Sequence, residues 1–283
     1  MNIGLVLAGG MAKGAYQVGA LKALREYLCP GDISYFSSAS VGALNTCAFM
    51  YDRLDVAEDI WKKICIGKKR VYLNRLAQSD FLQNTIKDIC KLGNGLKNDL
   101  FVPLLDLKNR AIEYTNFAAL SQDIMPKYLK ASVALPVVNE SVEINGKYYL
   151  DGGFGDIIPV YPLLDKEIDY VICVYFDDCC YTFEDPEFDK KVIKITFPPK
   201  RTLRDSLVFE KDVIEEMFKD GYFRAKEVLD RAFMNGTEDL PYILNSIEEM
   251  NGEYKEKKLR LTVDVMATGL NKVMGQLTKR KIV

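Results

Sequence analysis

Residues 2–28 read NIGLVLAGGMAKGAYQVGALKALREYL, and this stretch decides the fold class. Ile3 to Ala8 is an unbroken apolar run of strand length. Gly9-Gly10 ends it, as paired glycines do at tight turns. From Gly14 onward, Ala15, Val18, Leu21, Ala23, Leu24 and Leu28 recur at helical spacing, and Cys29-Pro30-Gly31 supplies the stop. The pattern then repeats. Residues 33–39, rich in Ile, Tyr, Phe and Ser, read as a second strand, and Val41 to Tyr51 as a second apolar helix. Strand, turn and helix, twice over, predict an α/β fold with a mainly parallel central sheet flanked by helices.

Working outward, residues 52–98 are helical and charged, with breaks at Gly67, Gly93 and Gly95. Strands are predicted at 100–104 and 111–117, a short helix at 121–131 before the Pro136 break, and a hairpin over 142–150 turning at Asn145-Gly146. Further strands fall at 169–176 and 191–197, and helices at 203–233 and 238–250. The polar segment 252–258 reads as a loop, and the tail 259–283 joins a β-like LRLTVDV to a basic end. No internal repeat or low-complexity linker divides the chain, so the expectation is one α/β domain with a helical C-terminal annex.

Composition narrows the chemistry. The 283 residues carry 38 Lys plus Arg against 40 Asp plus Glu, a net charge of −2, which argues against nucleic acid as a partner. There is no histidine. That removes a Ser-His-Asp triad, a His-ligated zinc and any His base. The seven cysteines, Cys29, Cys47, Cys65, Cys90, Cys173, Cys179 and Cys180, are odd in number and contain no C-x-x-C spacing. They read as free thiols of a reducing compartment, with no thiolate metal site; Cys179 and Cys180, after Asp177 and Asp178, read as strand-end residues. No apolar stretch approaches the roughly 20 residues a membrane span needs, and Ile3 to Ala8 is too short for a signal-peptide core. A cytoplasmic protein that meets membranes only at their surface is the expectation.

Three short motifs carry chemistry. Gly9-Gly10-Met11-Ala12-Lys13-Gly14 lies between a strand and a helix N-terminus, where unpaired backbone N–H groups receive an anion. A phosphate loop would place lysine after the last glycine, and a dinucleotide loop would place glycine where Met11 stands. An oxyanion hole and a plain tight turn both remain. Ser38-Ala39-Ser40-Val41-Gly42 has the strand-to-helix setting of a nucleophile elbow, with Ser38 for the first glycine, but Ser40 equally suits a helix N-cap. Asp151-Gly152-Gly153 follows the strand-like Lys147 to Leu150 and reads either as a turn or as a carboxylate base for Ser40.

Taken together, GGMAKG (9–14), SASVG (38–42) and DGG (151–153) resemble the patatin-like phospholipase family. GAYQVGALKAL (14–24), ASVALP (131–136) and NGKYYLDGG…IPV (145–160) are similar to the family's flanking segments. The resemblance spans residues 1–235, with 52–98 as a variable helical cap-like insertion and 236–283 as a C-terminal extension. It implies a three-layer patatin-like fold and a lipid acyl hydrolase that needs no cofactor and no metal. Ser40 would be the nucleophile and Asp151 the proton acceptor. Gly9, Gly10 and Met11 would form the oxyanion hole, with Lys13, Gly14, Gly42, Gly152 and Gly153 as supporting motif residues. The implied substrate is a phospholipid or related lipid ester. The alternatives are a nucleotide-binding α/β protein and a patatin-like lipid-binding module without turnover. Nothing in the sequence fixes the oligomeric state.

Two features of the variable region bear on membranes. Lys62, Lys63, Lys68, Lys69 and Arg70 cluster near Trp61, Ile64 and Ile66, a mixture that suits anionic headgroups, although a solvated charged face is the more common reading. Leu82, Ile86 and Ile89 with Phe81 make an apolar helical stripe, more often core than lid.

Overall fold

The computed structural model describes residues 1–64, 71–72, 80–93, 95–136, 139–177, 181–197, 208–258 and 279–282. Strands run in chain order as β1 (Ile3–Leu7), β2 (Tyr35–Ser38), β3 (Val71–Tyr72), β4 (Asp99–Asp106), β5 (Ala111–Asn116), β6 (Val142–Ile144), β7 (Lys147–Asp151), β8 (Tyr170–Tyr175), β9 (Val192–Thr196), β10 (Val208–Phe209) and β11 (Lys279–Ile282). The helices are α1 (Gly14–Leu24), α2 (Val41–Met50), α3 (Leu54–Ile64), α4 (Asp80–Cys90), α5 (Met125–Ser132), α6 (Pro186–Asp189), α7 (Lys211–Ala232) and α8 (Leu240–Lys258).

β1 is buried along its whole length, and its alternating side chains enter two different cores. Ile3, Leu5 and Leu7 join one apolar cluster, and Val6 with Ala8 joins the other. β8 divides in the same way, Ile172 and Val174 on one face, Val171 and Cys173 on the opposite one. A sheet covered on both faces explains why these strands read as unbroken apolar runs. The order is β11-β5-β4-β2-β1-β8-β9, with β6 and β7 attached through β4. β1 pairs in parallel with β2 and β8, β2 with β4, and β8 with β9. β4 pairs antiparallel with β5 and β7, so the sheet is mixed where β7 returns.

One strand organises the site. β5 occupies one flank of β4 from Phe101 to Asp106. On the other flank, β2 pairs with the start of β4 (Ser37 opposite Phe101) and β7 with its end (Asp151 opposite Leu104). β2 runs parallel to β4 and β7 antiparallel, so their carboxyl ends face each other. Three residues along a strand span about 10 Å, a gap that two short side chains can close. The hairpin that returns β7 turns at Asn145 (φ 52°) and Gly146 (φ 76°), the two left-handed positions of a type I′ turn.

The helical layer is held most closely where α1 crosses α7. A β-carbon on Gly19 would lie 2.1 Å from the Phe218 carbonyl oxygen, and one on Gly221 would lie 2.1 Å from the Tyr16 carbonyl oxygen. The two backbones touch directly, and no side chain can yield to make room. Gly19→Ala is therefore expected to cost about 3 kcal/mol, as overpacking of a rigid contact does. Thermal unfolding should then fall by about 6–12 °C. Gly31, with nothing within 4 Å of its β-carbon position, is the control. An unaltered midpoint in Gly19→Ala would refute the contact.

The C-terminal part differs from expectation in two places. Residues 252–258, expected as a loop, continue α8 to Lys258. Gly252 and Glu253 are exposed, and Arg231 on α7 pairs with Glu253 at 2.9 Å. The tail is not wholly helical either: Lys279–Ile282 form β11, parallel to β5 in the main sheet. Ile243, Ile247 and Met250 of α8 enter the same core cluster as β1. The LRLTVDV stretch lies outside the described residues. Elsewhere the helix expected over 121–131 starts later, at Met125, with Pro126 in its first turn. Of the helix expected over 203–233, Lys211–Ala232 is helical, whereas Val208–Phe209 form β10, paired antiparallel with β3.

Candidate active site

The glycine turn leaves β1 at the carboxyl edge of the sheet, beside the point where strand connections diverge from β1 toward β2 on one side and β8 on the other. That is where α/β folds place their ligands. Ala8 N–H still donates to Val174 O (3.0 Å), and Gly9 N–H donates to Ile157 O (2.9 Å). Gly9 is thus committed through its own amide, which differs from a role as an oxyanion donor. Met11 takes φ 52° and opens a 3₁₀ turn to Lys13, after which α1 begins at Gly14. The amides of Gly10 and Met11 have no acceptor among the described residues. Met11, standing where the family has glycine, adopts the left-handed conformation that a side chain tolerates at a cost of about 1–3 kcal/mol. A β-carbon on Gly10 would lie 2.2 Å from the Phe176 ring, so the turn is walled on that side.

The serine turn sits against this loop. Ser40 has φ 54° and ψ −129°, a strained conformation for a residue with a side chain. It holds the N-cap position of α2, yet its side chain makes no capping hydrogen bond. Its hydroxyl is instead near enough to the Asp151 carboxyl to hold that group's pKa down against the effect of burial. Ser40 thus occupies the N-cap position without capping the helix through its side chain. Gly42 lets α2 approach β1: a β-carbon there would lie 2.8 Å from Leu7 O and 3.0 Å from Ala8 O. Ser38 causes no collision. Its side chain is buried and its Oγ lies 2.7 Å from Thr46 Oγ1, tying the turn to α2.

Asp151 ends β7 and is 1 % exposed, whereas Ser40 is 8 % exposed. Asp151 N–H donates to Ala134 O (2.8 Å), which anchors the aspartate to the ASVALP segment. Its Oδ1 accepts from Gly153 N–H at 2.8 Å. Burial pushes the carboxyl up to about 7, partly offset by the Ser40 hydroxyl and the hydrogen bond from Gly153. Gly152 meets the β4 backbone at Pro103, within 2.4 Å of where its β-carbon would stand. The β-carbon position of Gly153 lies 3.5 Å from Ser40 Cβ, and that of Gly9 lies 3.3 Å from it. All three motifs thus meet around one serine.

Lys13 lies over the Phe176 ring (5.9 Å to its centre), and burial lowers its pKa while Asp177 opposes the shift. Gly14 packs under Trp61. Trp61 is buried, so it cannot share an exposed surface with the basic residues as the headgroup reading required. Lys62 pairs with Glu58 at 2.7 Å on an exposed face of α3. Lys68, Lys69, Arg70 and Ile66 lie outside the described residues, as do Cys65, Asp178, Cys179 and Cys180. Ile86 and Ile89 are core residues, in keeping with the bland reading of their stripe; the Phe81 side chain is outside the described set. Cys47 and Cys173 are buried in the core. Among the described residues no three Cys, Asp or Glu side chains converge as metal ligands would.

Two groups at the site were not singled out from the sequence. Phe154 and Ile157 are 46 % and 49 % exposed, directly after the Asp151 turn. Their signal was present in GGFGDII, where large apolar residues occupy a glycine-rich loop that should be polar. The second group, Gln17 with Asn45, gave no signal, because isolated amides within apolar helices carry no pattern.

Residues 5–164, 160 of the 283, match the family described as patatin-like phospholipase. Among solved structures, the chain is similar to VipD from Legionella pneumophila, at 14 % identity and TM-score 0.47, over 81 % of this chain and 67 % of that one. It is also similar to ExoU of Pseudomonas aeruginosa in its complex with SpcU, at 16 % identity and TM-score 0.43, over 91 % of this chain and 59 % of that one. A third is human GIVD cytosolic phospholipase A2 with methyl gamma-linolenyl fluorophosphonate, at 10 % identity and TM-score 0.43, over 90 % of this chain and 59 % of that one. The chain thus spans about two thirds of the first of these proteins and less of the other two. No curated protein matches its sequence. None of the described helices is long and apolar enough to cross a membrane. On the family match, the chain belongs to the patatin-like phospholipases, whose typical activity is serine-dependent hydrolysis of lipid esters.

Proposed function

We propose that this chain hydrolyses the carboxylic ester bonds of phospholipids or related lipids through a Ser40–Asp151 dyad, and that it meets them at a membrane surface. The observation that carries the reading is the meeting of the strained Ser40 with the buried Asp151 at Gly153, whose β-carbon position lies 3.0 Å from Asp151 Oδ1 and 3.5 Å from Ser40 Cβ. Ser40 Oγ attacks the ester carbonyl carbon while Asp151 takes its proton. The oxyanion of the tetrahedral intermediate accepts hydrogen bonds from the amides of Gly10 and Met11; Gly9 shapes the turn. Collapse breaks the bond to the leaving alcohol, which receives the proton from Asp151. Water, deprotonated by Asp151, then attacks the acyl carbon; the bond to Ser40 Oγ breaks, the acid leaves, and Asp151 returns the proton to Ser40 Oγ. A carboxylate titrating near 7 suits this work better than an ordinary one, because a general base is most effective when its pKa lies near the working pH. Each oxyanion donor typically contributes about 2.7–4 kcal/mol.

The lipid assignment draws on the apolar rim. Ile157 Cγ1 lies 3.4 Å from the β-carbon position of Gly9, which itself adjoins Ser40. Ile157, about half exposed, borders the reacting centre, and Phe154, also about half exposed, follows Asp151 in the same loop. Covering an apolar side chain is worth about 1.5–3 kcal/mol when complete. The double variant Phe154→Ser, Ile157→Ser is expected to lower fatty-acid release from phospholipid vesicles about 10-fold or more. Hydrolysis of a short soluble ester should change by no more than about twofold, since that substrate gains little from apolar cover. Equal loss on both substrates would contradict a lipid-facing rim.

A further inference from the structure

The loop from Ala8 to Gly14 is held at both ends by a buried amide pair that the three motifs do not include. Gln17 on α1 is 0 % exposed and Asn45 on α2 is 2 % exposed. Gln17 Nε2 donates to Ala8 O at 2.6 Å. Asn45 Nδ2 donates to Gly14 O at 2.9 Å and to Gln17 Oε1 at 2.9 Å. Trp61 Nε1 on α3 donates to Asn45 Oδ1 at 3.2 Å. One continuous chain of hydrogen bonds thus runs from the first residue of the glycine turn to its last.

The consequence follows from peptide planarity. The Ala8 carbonyl and the Gly9 N–H belong to one rigid plane. Gln17 holds the carbonyl end and Ile157 O the N–H end. Beyond that plane, Gly10 O accepts from Lys13 N–H at 3.0 Å, which holds the peptide plane that carries the Met11 N–H, and Asn45 holds Gly14 O, so the Gly10 and Met11 amides lie on a segment restrained on both sides. A buried glutamine and asparagine are costly unless their hydrogen bonds are made. Here they satisfy each other and two loop carbonyls, and a leucine and an alanine would fill the same helix positions at no such cost.

We infer that Gln17 and Asn45 are positioning residues that preorganise the oxyanion donors, with Trp61 fixing the orientation of Asn45. This rests on the Ser40–Asp151 reading above. Preorganised donors act on the charge that develops in the transition state, not on the neutral ester. Their disturbance therefore belongs in kcat, not in KM.

The test uses the full chain with Gln17→Glu, Gln17→Met and Trp61→Phe. Gln17→Glu keeps an acceptor for Asn45 and loses the donor to Ala8. Trp61→Phe removes the bond to Asn45 together with the indole edge that stands over Gly14. Turnover is expressed per active site titrated with a fluorophosphonate, so any misfolded fraction drops out. The Gln17 variants should lose about 10- to 100-fold in kcat with KM within about twofold, and their phosphonylation rate should fall by the same factor. The acid limb of kcat/KM should stay at its wild-type position, because Asp151 is untouched. Trp61→Phe should show the same pattern at about 2- to 5-fold. Wild-type kcat per titrated site in Gln17→Glu and Gln17→Met, or a loss confined to KM, would overturn the inference while leaving the dyad standing. Wild-type protein that fails to label at all would overturn the dyad, and this inference with it.

Discussion

Asp151→Asn is expected to lower kcat/KM about 100- to 10,000-fold, the range that a positioned general base supplies. The same change should remove the acid limb of the rate profile. In the wild type, kcat/KM should fall tenfold per pH unit below an ionisation near 7, where burial has pushed this carboxyl. Stability should move in the opposite direction. Unfolded, the carboxyl titrates near its ordinary value of 3.8; folded, it titrates near 7. Between those values the folded chain holds a proton that the unfolded chain has lost, so wild-type stability declines as pH rises through this window and levels off above it. The ionised aspartate costs the folded state on the order of 4 kcal/mol at pH 8. Asparagine keeps an acceptor for Gly153 N–H and carries no charge. Asp151→Asn should therefore melt higher than wild type at pH 8, with the gap closing toward pH 4. An acid limb near 7 that survives in Asp151→Asn would assign the ionisation to another group.

Ser40→Ala should reduce turnover at least about 1,000-fold, because it removes the attacking oxygen itself. Alanine retains the β-carbon, so the strain at φ 54° persists and the melting temperature should hardly change. Ser40→Gly is equally inactive but releases that strain, and about 1 kcal/mol of stabilisation is expected. In a chain of this size that raises the midpoint by about 2–4 °C. A rise in Ser40→Gly with none in Ser40→Ala separates stored backbone strain from loss of the hydroxyl. Residual turnover near wild type in either variant would place the nucleophile elsewhere.

The local parts of this architecture were legible in the sequence because local physics dictates them. An apolar run followed by Gly9-Gly10 can scarcely be anything except a buried strand and its turn, and Asn145-Gly146 marks its hairpin directly. The motif residues Ser40 and Asp151 were legible through family resemblance, as was their order along the chain. Their meeting was implied by the resemblance alone; its physical cause, β4 pairing with β2 at one end and β7 at the other, spans long sequence separations that no local pattern shows. The α1–α7 contact was equally hidden, because Gly19 and Gly221 read as weak points in helices until their backbones are seen to touch. The stretch 252–258 was misread because polarity was weighed above helix propensity. Glu and Lys are good helix formers, and a helix end needs no apolar face where it runs into solvent.

The most direct measurement is peptide mapping of the adduct formed by a fluorophosphonate, followed over pH in wild type and Asp151→Asn. The prediction is one adduct, on Ser40, forming at a rate that rises through an ionisation near 7 in the wild type. In Asp151→Asn the rate should be low and free of that ionisation. An adduct on any other residue, or Ser40 labelling at the wild-type rate without Asp151, would contradict the dyad.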